Sequence, residues 1–198
     1  EHVTNLLNMR ELEDEGKVMA LANFAYPVPD KDKPLLDWIR VDGLKVHFRY
    51  SSVRLYHELR KVLWGVPSEQ FAYMAQRTLE VKIVELLKNA LDLTKQTKLT
   101  LSGGVASNIK VNMLLRELPQ IDGFYVFPHM GDGGLAAGAA IWQSAAQGAN
   151  SFILRDAYLG PAYSEEDVAQ ALAGYPQFSA QRFEKIAQQL PLNQVDYA

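Results

Sequence analysis

The spacing of apolar residues changes period several times along the chain, and each change predicts an element. Trp38-Ile39-Arg40-Val41 and Leu44-Lys45-Val46-His47-Phe48 flank Asp42-Gly43, the signature of a β-hairpin whose Asp-Gly turn takes positive φ at both centres. Helical patterning takes over from about Ser52, and Pro67-Ser68-Glu69 restarts it with a cap. Ala72, Ala75, Leu79, Ile83, Leu86 and Ala90 then form one apolar stripe on a helix running towards Leu93. A stripe of this kind needs a flat partner. Lys98-Leu99-Thr100-Leu101-Ser102 and Phe124-Tyr125-Val126-Phe127 supply short strands, each followed by glycines and a helix of its own. The first such helix is predicted over 105–118, stopping at Pro119, and the second over 133–147, stopping near Gly148. Strand, helix, strand, helix implies an α/β fold with a central mixed sheet on which the helices over 69–94, 105–118 and 133–147 pack.

Punctuation divides the rest. A Pro/Lys/Asp cluster over Lys31–Pro34 ends an acidic N-terminal segment, and after Ser151 the character shifts again. Tyr158-Leu159-Gly160-Pro161 reads as a linker, and Ser164-Glu165-Glu166-Asp167 resembles a capping box that opens a helix. The boundary is placed near residue 155, with residues 1–155 as one domain portion and 156–198 as linker and the start of a following region.

Composition narrows the class. With 198 residues and 48% hydrophobic content the chain can bury a core. Lys+Arg 20 against Asp+Glu 23 gives a net charge of −3 without a dense basic run, which argues against a nucleic-acid partner. Cysteine is absent, so thiolate metal chemistry and disulfides are excluded. No apolar run approaches the roughly 20 residues of a membrane span, and a cytoplasmic protein without a membrane partner is expected. The N-terminus carries neither signal-peptide features nor a starting Met, and a piece of a longer chain is expected. Truncation of that kind would expose an apolar face, and the oligomeric state stays open.

Two glycine turns carry the candidate chemistry. Ser102-Gly103-Gly104-Val105-Ala106-Ser107-Asn108 sits where a strand ends and a helix begins, where backbone N–H groups and the helix dipole favour an anion. Asn108, about one turn into the helix, either adds an amide to the same ligand or is simply solvated. Met130-Gly131-Asp132-Gly133-Gly134 repeats the arrangement, followed by Ala136, Ala137, Gly138, Ala139 and Ala140, whose small bulk allows close approach to a sheet or to an adenosine. Asp132 is either an N-cap or a ligand for a metal or nucleotide. No Ser/His/Asp, Cys/His or paired-carboxylate set is readable, so the catalytic residues are unassigned and catalysis by position and charge is expected.

Taken in order, Asp14-Glu15-Gly16-Lys17-Val18-Met19-Ala20-Leu21-Ala22, the Gly103-Gly104 turn, Gly131-Asp132-Gly133-Gly134 and Tyr158–Ser164 resemble the O-carbamoyltransferases of the nodulation-factor and antibiotic-tailoring type. The transfer domain of that family is in turn similar to the tRNA threonylcarbamoyladenosine transferase. The resemblance implies the second half of an actin/sugar-kinase-like (ASKHA) domain. It also implies a two-stage reaction, in which carbamoyl phosphate and ATP give carbamoyl-adenylate on a second domain and the carbamoyl group then passes to an acceptor hydroxyl. Under it, Gly103, Gly104 and Asn108 line nucleotide phosphates, Gly133 and Gly134 lie against the nucleotide, and Glu15 approaches the ribose. Lys17 pairs with Glu15 or reaches a phosphate.

Asp132 corresponds to the family's ligand for a divalent metal, iron among the candidates, whose partner histidines fall in the missing N-terminal half. His129, three residues earlier, is either a structural residue or a further ligand. The partners implied are carbamoyl phosphate and a small acceptor bearing a hydroxyl, with ATP or carbamoyl-adenylate as the bound nucleotide, and this chain alone is expected to be inactive. Two rival readings remain open from sequence, a sugar or acid kinase of the same superfamily and a non-enzymatic nucleotide-binding module.

Overall fold

Short helices lead into one long one. The computed structural model describes residues 1–26, 35–149, 154 and 159–177. The predicted Lys31–Pro34 break and Tyr158 of the predicted linker lie outside them. The chain separates into two units, Glu1–Phe152 and Ile153–Ala198. In the first, α1 (His2–Leu6) and α2 (Glu15–Leu21) precede a hairpin of β1 (Ile39–Asp42) and β2 (Lys45–Phe48). The register pairs Asp42 with Lys45, so the turn centres are Gly43 and Leu44 rather than Asp42 and Gly43, and only Gly43 (φ 59) takes positive φ. That places glycine at the first centre, the position a two-residue turn of type II′ reserves for it.

α3 (Ser52–Gly65) and α4 (Ser68–Thr94) follow. Pro67, not Ser68, holds the N-cap position of α4, and no side chain caps it. The other end closes with Lys95 in the left-handed conformation (φ 56), its N–H bonded to the Leu91 carbonyl. α4 buries more than the predicted stripe. Phe71 and Met74 join Leu35 and Leu59 in one cluster, and Ala72 joins Val18 and Ala22 in another. Further along, Leu79, Ile83, Leu87 and Leu91 pack with Val111, Leu115 and Leu118 in a third.

The third cluster sits on the predicted strand–helix–strand unit. β3 (Lys98–Leu101) and β4 (Gly123–Val126) pair in parallel with Leu99 opposite Phe124 and Leu101 opposite Val126. The intervening helix is shorter than predicted. A 3₁₀ turn over Gly104–Ser107 comes first, and α5 begins at Ile109 and ends at Arg116. Asn108 is therefore the N-cap of α5 and not a residue one turn inside it; its carboxamide oxygen accepts the Val111 N–H at 3.1 Å. Past β4, a second 3₁₀ turn, Asp132–Gly134, leads into α6 (Leu135–Ala146).

The fold is α/β, but the expected central mixed sheet is replaced, among the described residues, by two separate two-stranded sheets, β1-β2 antiparallel and β3-β4 parallel. Alternation along a strand sets which side chains share a face; it carries no information on which strand edges join. α6 also departs from the expectation that it would bury a face on that sheet. None of its residues is buried, and Leu135 and Trp142 are 71% and 76% exposed. In the second unit, α7 (Glu165–Ala173) starts at the capping box read from sequence: Ser164 Oγ accepts the Asp167 N–H and Asp167 accepts the Ser164 N–H.

Phe71 is fully buried at the meeting point of α4 with Leu35 and Leu59. Phe71→Ala is expected to cost about 3–5 kcal/mol in urea unfolding. Val53→Ala, at a position 73% exposed, should stay within about 0.5 kcal/mol of the parent.

Candidate functional site

Both glycine turns leave the carboxyl ends of the parallel pair, the edge at which open α/β sheets present ligands. They are tied to each other: the Gly103 N–H donates to the Met130 carbonyl at 2.7 Å. Gly103 (φ 95, ψ 167) occupies backbone space that side-chain-bearing residues rarely enter, which is why the turn needs glycine there. Its N–H is already committed, so this one donor is not available to an anion. Gly104 follows, its carbonyl accepting the Ser107 hydroxyl at 2.6 Å.

Beside this turn lies a cleft of about 530 Å³ bounded by Glu15, Gly16 and Met19 of α2, Leu79 of α4, and Gly104, Val105, Ser107 and Asn108. Glu15 thus meets two predicted site residues distant from it in sequence, Gly104 and Asn108. Glu15 opens α2, and its Oε1 accepts the Leu12 N–H at 2.8 Å and the Thr4 hydroxyl at 3.2 Å. Partial burial works against its charge, yet the Leu12 N–H, its own N–H and the Thr4 hydroxyl together hold the carboxyl below its ordinary range. The cleft therefore carries a fixed negative group. Leu12, also on its border, takes φ 66, a left-handed conformation unusual for a branched side chain, and its bond to Glu15 holds it there.

Lys17 does not pair with Glu15. It pairs with Asp14 at 2.8 Å, one helical turn back, and does not border the cleft. That bond, with the Arg10 N–H, lowers the Asp14 pKa. Asn108 departs from expectation too, because its amide is bound in protein and is not simply solvated. Its nitrogen donates to Gln76 Oε1 at 2.8 Å, and its oxygen accepts from Gln76 Nε2 at 3.0 Å as well as capping α5. Sequence reading passed over Gln76. The available signal was a polar residue inside the apolar stripe, between Ala72 and Leu79.

A second cleft, about 510 Å³, is mostly apolar: Ser102, Phe127, His129, Gly131, Gly134, Leu135 and Trp142 border it. Gly134 is packed so close to the His129 carbonyl that a Cβ would overlap it, and the His129 ring similarly fills the space beside Gly133. His129 is thus packed against the turn that carries Asp132. Asp132 is exposed and caps nothing; Gly131 holds the N-cap position and no side chain bonds there. The capping alternative for Asp132 is removed. Among the described residues no three His, Cys, Asp or Glu side chains gather as a metal-ligating group, and fewer than three such ligands are too few to hold a transition ion tightly. No helix of the described residues is long and apolar enough to cross a membrane.

The family described as the carbamoyltransferase N-terminus matches residues 3–141, and the chain belongs to that family. The matched region takes in the hairpin, α4, both glycine turns and Glu15. Among curated relatives, an uncharacterised protein of Methanocaldococcus jannaschii is 33% identical over 177 residues, covering 85% of this chain and 29% of the relative. Nodulation protein NolO of Bradyrhizobium diazoefficiens is 30% identical over 167 residues, covering 79% and 30% respectively. A probable bifunctional tRNA threonylcarbamoyladenosine biosynthesis protein of Methanosarcina barkeri is 28% identical over 135 residues, covering 65% and 23%. The chain spans less than a third of the length of these relatives.

The packing of the second turn makes a sharp contrast between glycines. Gly134→Ala drives a methyl into the His129 carbonyl and is expected to destabilise by about 1–3 kcal/mol. Gly16→Ala meets nothing within 4 Å and lies in α2, so it should be neutral or stabilising by up to about 1 kcal/mol. Thermal unfolding of the two variants reads the difference directly.

Proposed function

We propose that this chain is part of the transfer domain of an enzyme that moves a carbamoyl group from carbamoyl-adenylate, made from carbamoyl phosphate and ATP, to an acceptor hydroxyl. In that reaction the acceptor oxygen bonds to the carbamoyl carbon, the bond from that carbon to the adenylate phosphate oxygen breaks, AMP departs with the electron pair, and the hydroxyl proton is released. The observation that carries the reading is the meeting of Glu15 with Gly104 and Asn108 around one cleft, beside a second glycine turn tied to the first, all within the family match.

The cleft's chemistry suits a nucleotide. A carboxylate held ionised accepts hydrogen bonds from ribose hydroxyls, while the turn and the start of α5 favour the phosphate end. The second, mostly apolar cleft, with Trp142 and the small residues Gly138 and Ala139 on its border, suits a planar base or the carbamoyl-bearing end. A divalent metal would take Asp132 as one ligand and supply charge stabilisation at the departing phosphate, with its other ligands from outside the described residues. The ASKHA architecture and the inactivity of the chain in isolation belong to this same reading.

Two measurements test it. Titration of the chain with ATP or AMP, followed by NMR, should shift the backbone amides of Gly104, Asn108, Gly133 and Gly134 with weak affinity; shifts confined to α1, α3 or α7 would reject the site. Asp132→Asn, made in the whole protein, should abolish carbamoyl transfer and lower bound metal while leaving the unfolding temperature unchanged, because the amide keeps the shape and loses the charge. Retained turnover together with retained metal would reject the ligand role.

A further inference from the structure

Gln76 is 6% exposed, and every polar position of its carboxamide faces a partner. Its nitrogen donates to Glu80 Oε1 at 2.9 Å and to Asn108 Oδ1 at 3.0 Å, and its oxygen accepts from Asn108 Nδ2 at 2.8 Å. The two amides form a closed reciprocal pair. A carboxamide can be turned over to exchange its oxygen and nitrogen at little steric cost, so what fixes its orientation is the identity of its neighbours. Here both ends are fixed. Glu80 only accepts, which holds the Gln76 nitrogen on that side, and the Val111 N–H only donates, which holds the Asn108 oxygen on its own side.

One hydrogen remains. Asn108 Nδ2 carries two, and only the one given to Gln76 has a partner among the described residues. Asn108 and Glu15 both border the cleft. We propose that Gln76 and Glu80 are positioning residues that, together with the Val111 N–H, lock the Asn108 amide in one orientation, so that the cleft presents a hydrogen-bond donor at Asn108 and a carboxylate acceptor at Glu15. This rests on the functional reading above and deepens it by naming the residues that orient Asn108 towards that ligand. The cleft takes a group with an acceptor oxygen, such as a phosphate or carbamoyl oxygen, at the Asn108 end and hydroxyl donors, as on a ribose, at the Glu15 end.

The test uses the 198-residue chain and three variants, with ATP and AMP as probes. Gln76→Met keeps the volume and removes the pair; Glu80→Gln keeps the hydrogen-bonding reach but lets either amide orientation form; Asn108→Asp presents acceptors only. In the free protein, the Asn108 side-chain amide resonances should broaden and their hydrogen exchange should speed up in Gln76→Met and in Glu80→Gln. Nucleotide affinity should fall about tenfold in Gln76→Met and in Asn108→Asp, the worth of one hydrogen bond to a charged group. In Glu80→Gln it should fall less, with the unfolding temperature close to the parent. A purely structural role for Gln76 predicts lower stability with unchanged affinity at temperatures where the variant is folded, and that result overturns the proposal. Unchanged Asn108 exchange in Gln76→Met overturns the positioning step by itself. Absence of nucleotide shifts in the parent protein instead overturns the functional reading and the ligand class with it, while the free-protein exchange data still decide the positioning.

Discussion

The packing of α4 is the constraint from which the rest follows. Its 27 residues take part in all three apolar clusters, with Phe71 and Met74 in one, Ala72 in the next and Leu79 to Leu91 in the third. α1, α2, α3 and the β3-α5-β4 unit thus register against one rod. Most of the helical stability in such a fold comes from burying that rod's faces, since intrinsic propensity supplies only tenths of a kcal/mol per residue. Alanine at 72 is part of the same logic: it is fully buried where α2's Val18 packs against α4.

This explains why the candidate site is assembled where it is. Glu15 arrives on a short helix whose own core is Val18 and Ala22 against α4, and Asn108 arrives at the start of a helix whose core is Val111 and Leu115 against the same α4. Gln76 stands on α4 between them. A polar residue at that level costs burial free energy unless its hydrogen bonds are complete, and the amide pair with Asn108 completes them.

Much of the local structure was legible in sequence: the hairpin, the long helix, the two parallel strands and the Ser164 capping box all lie close to where periodicity and turn chemistry put them. Legibility failed where a residue's partner is distant in the chain. Asn108 reads as a helical residue until the Val111 N–H and Gln76 are seen to take its side chain, and Lys17 reads as a partner of Glu15 until its reach along the helix surface selects Asp14. Strand positions were readable, strand partners were not, and the expected single sheet resolved into two. For the candidate site, the sequence marked the glycines and Glu15 as chemistry-bearing, and the fold brings Glu15 to Gly104 across 89 positions of chain.

The bond from the Gly103 N–H to the Met130 carbonyl joins the loops after β3 and β4 into one mechanical piece. Neither loop can swing outward without breaking a 2.7 Å contact or carrying the other along. A displacement of either loop is therefore passed to the other, so the two glycine turns keep their relative position as one unit.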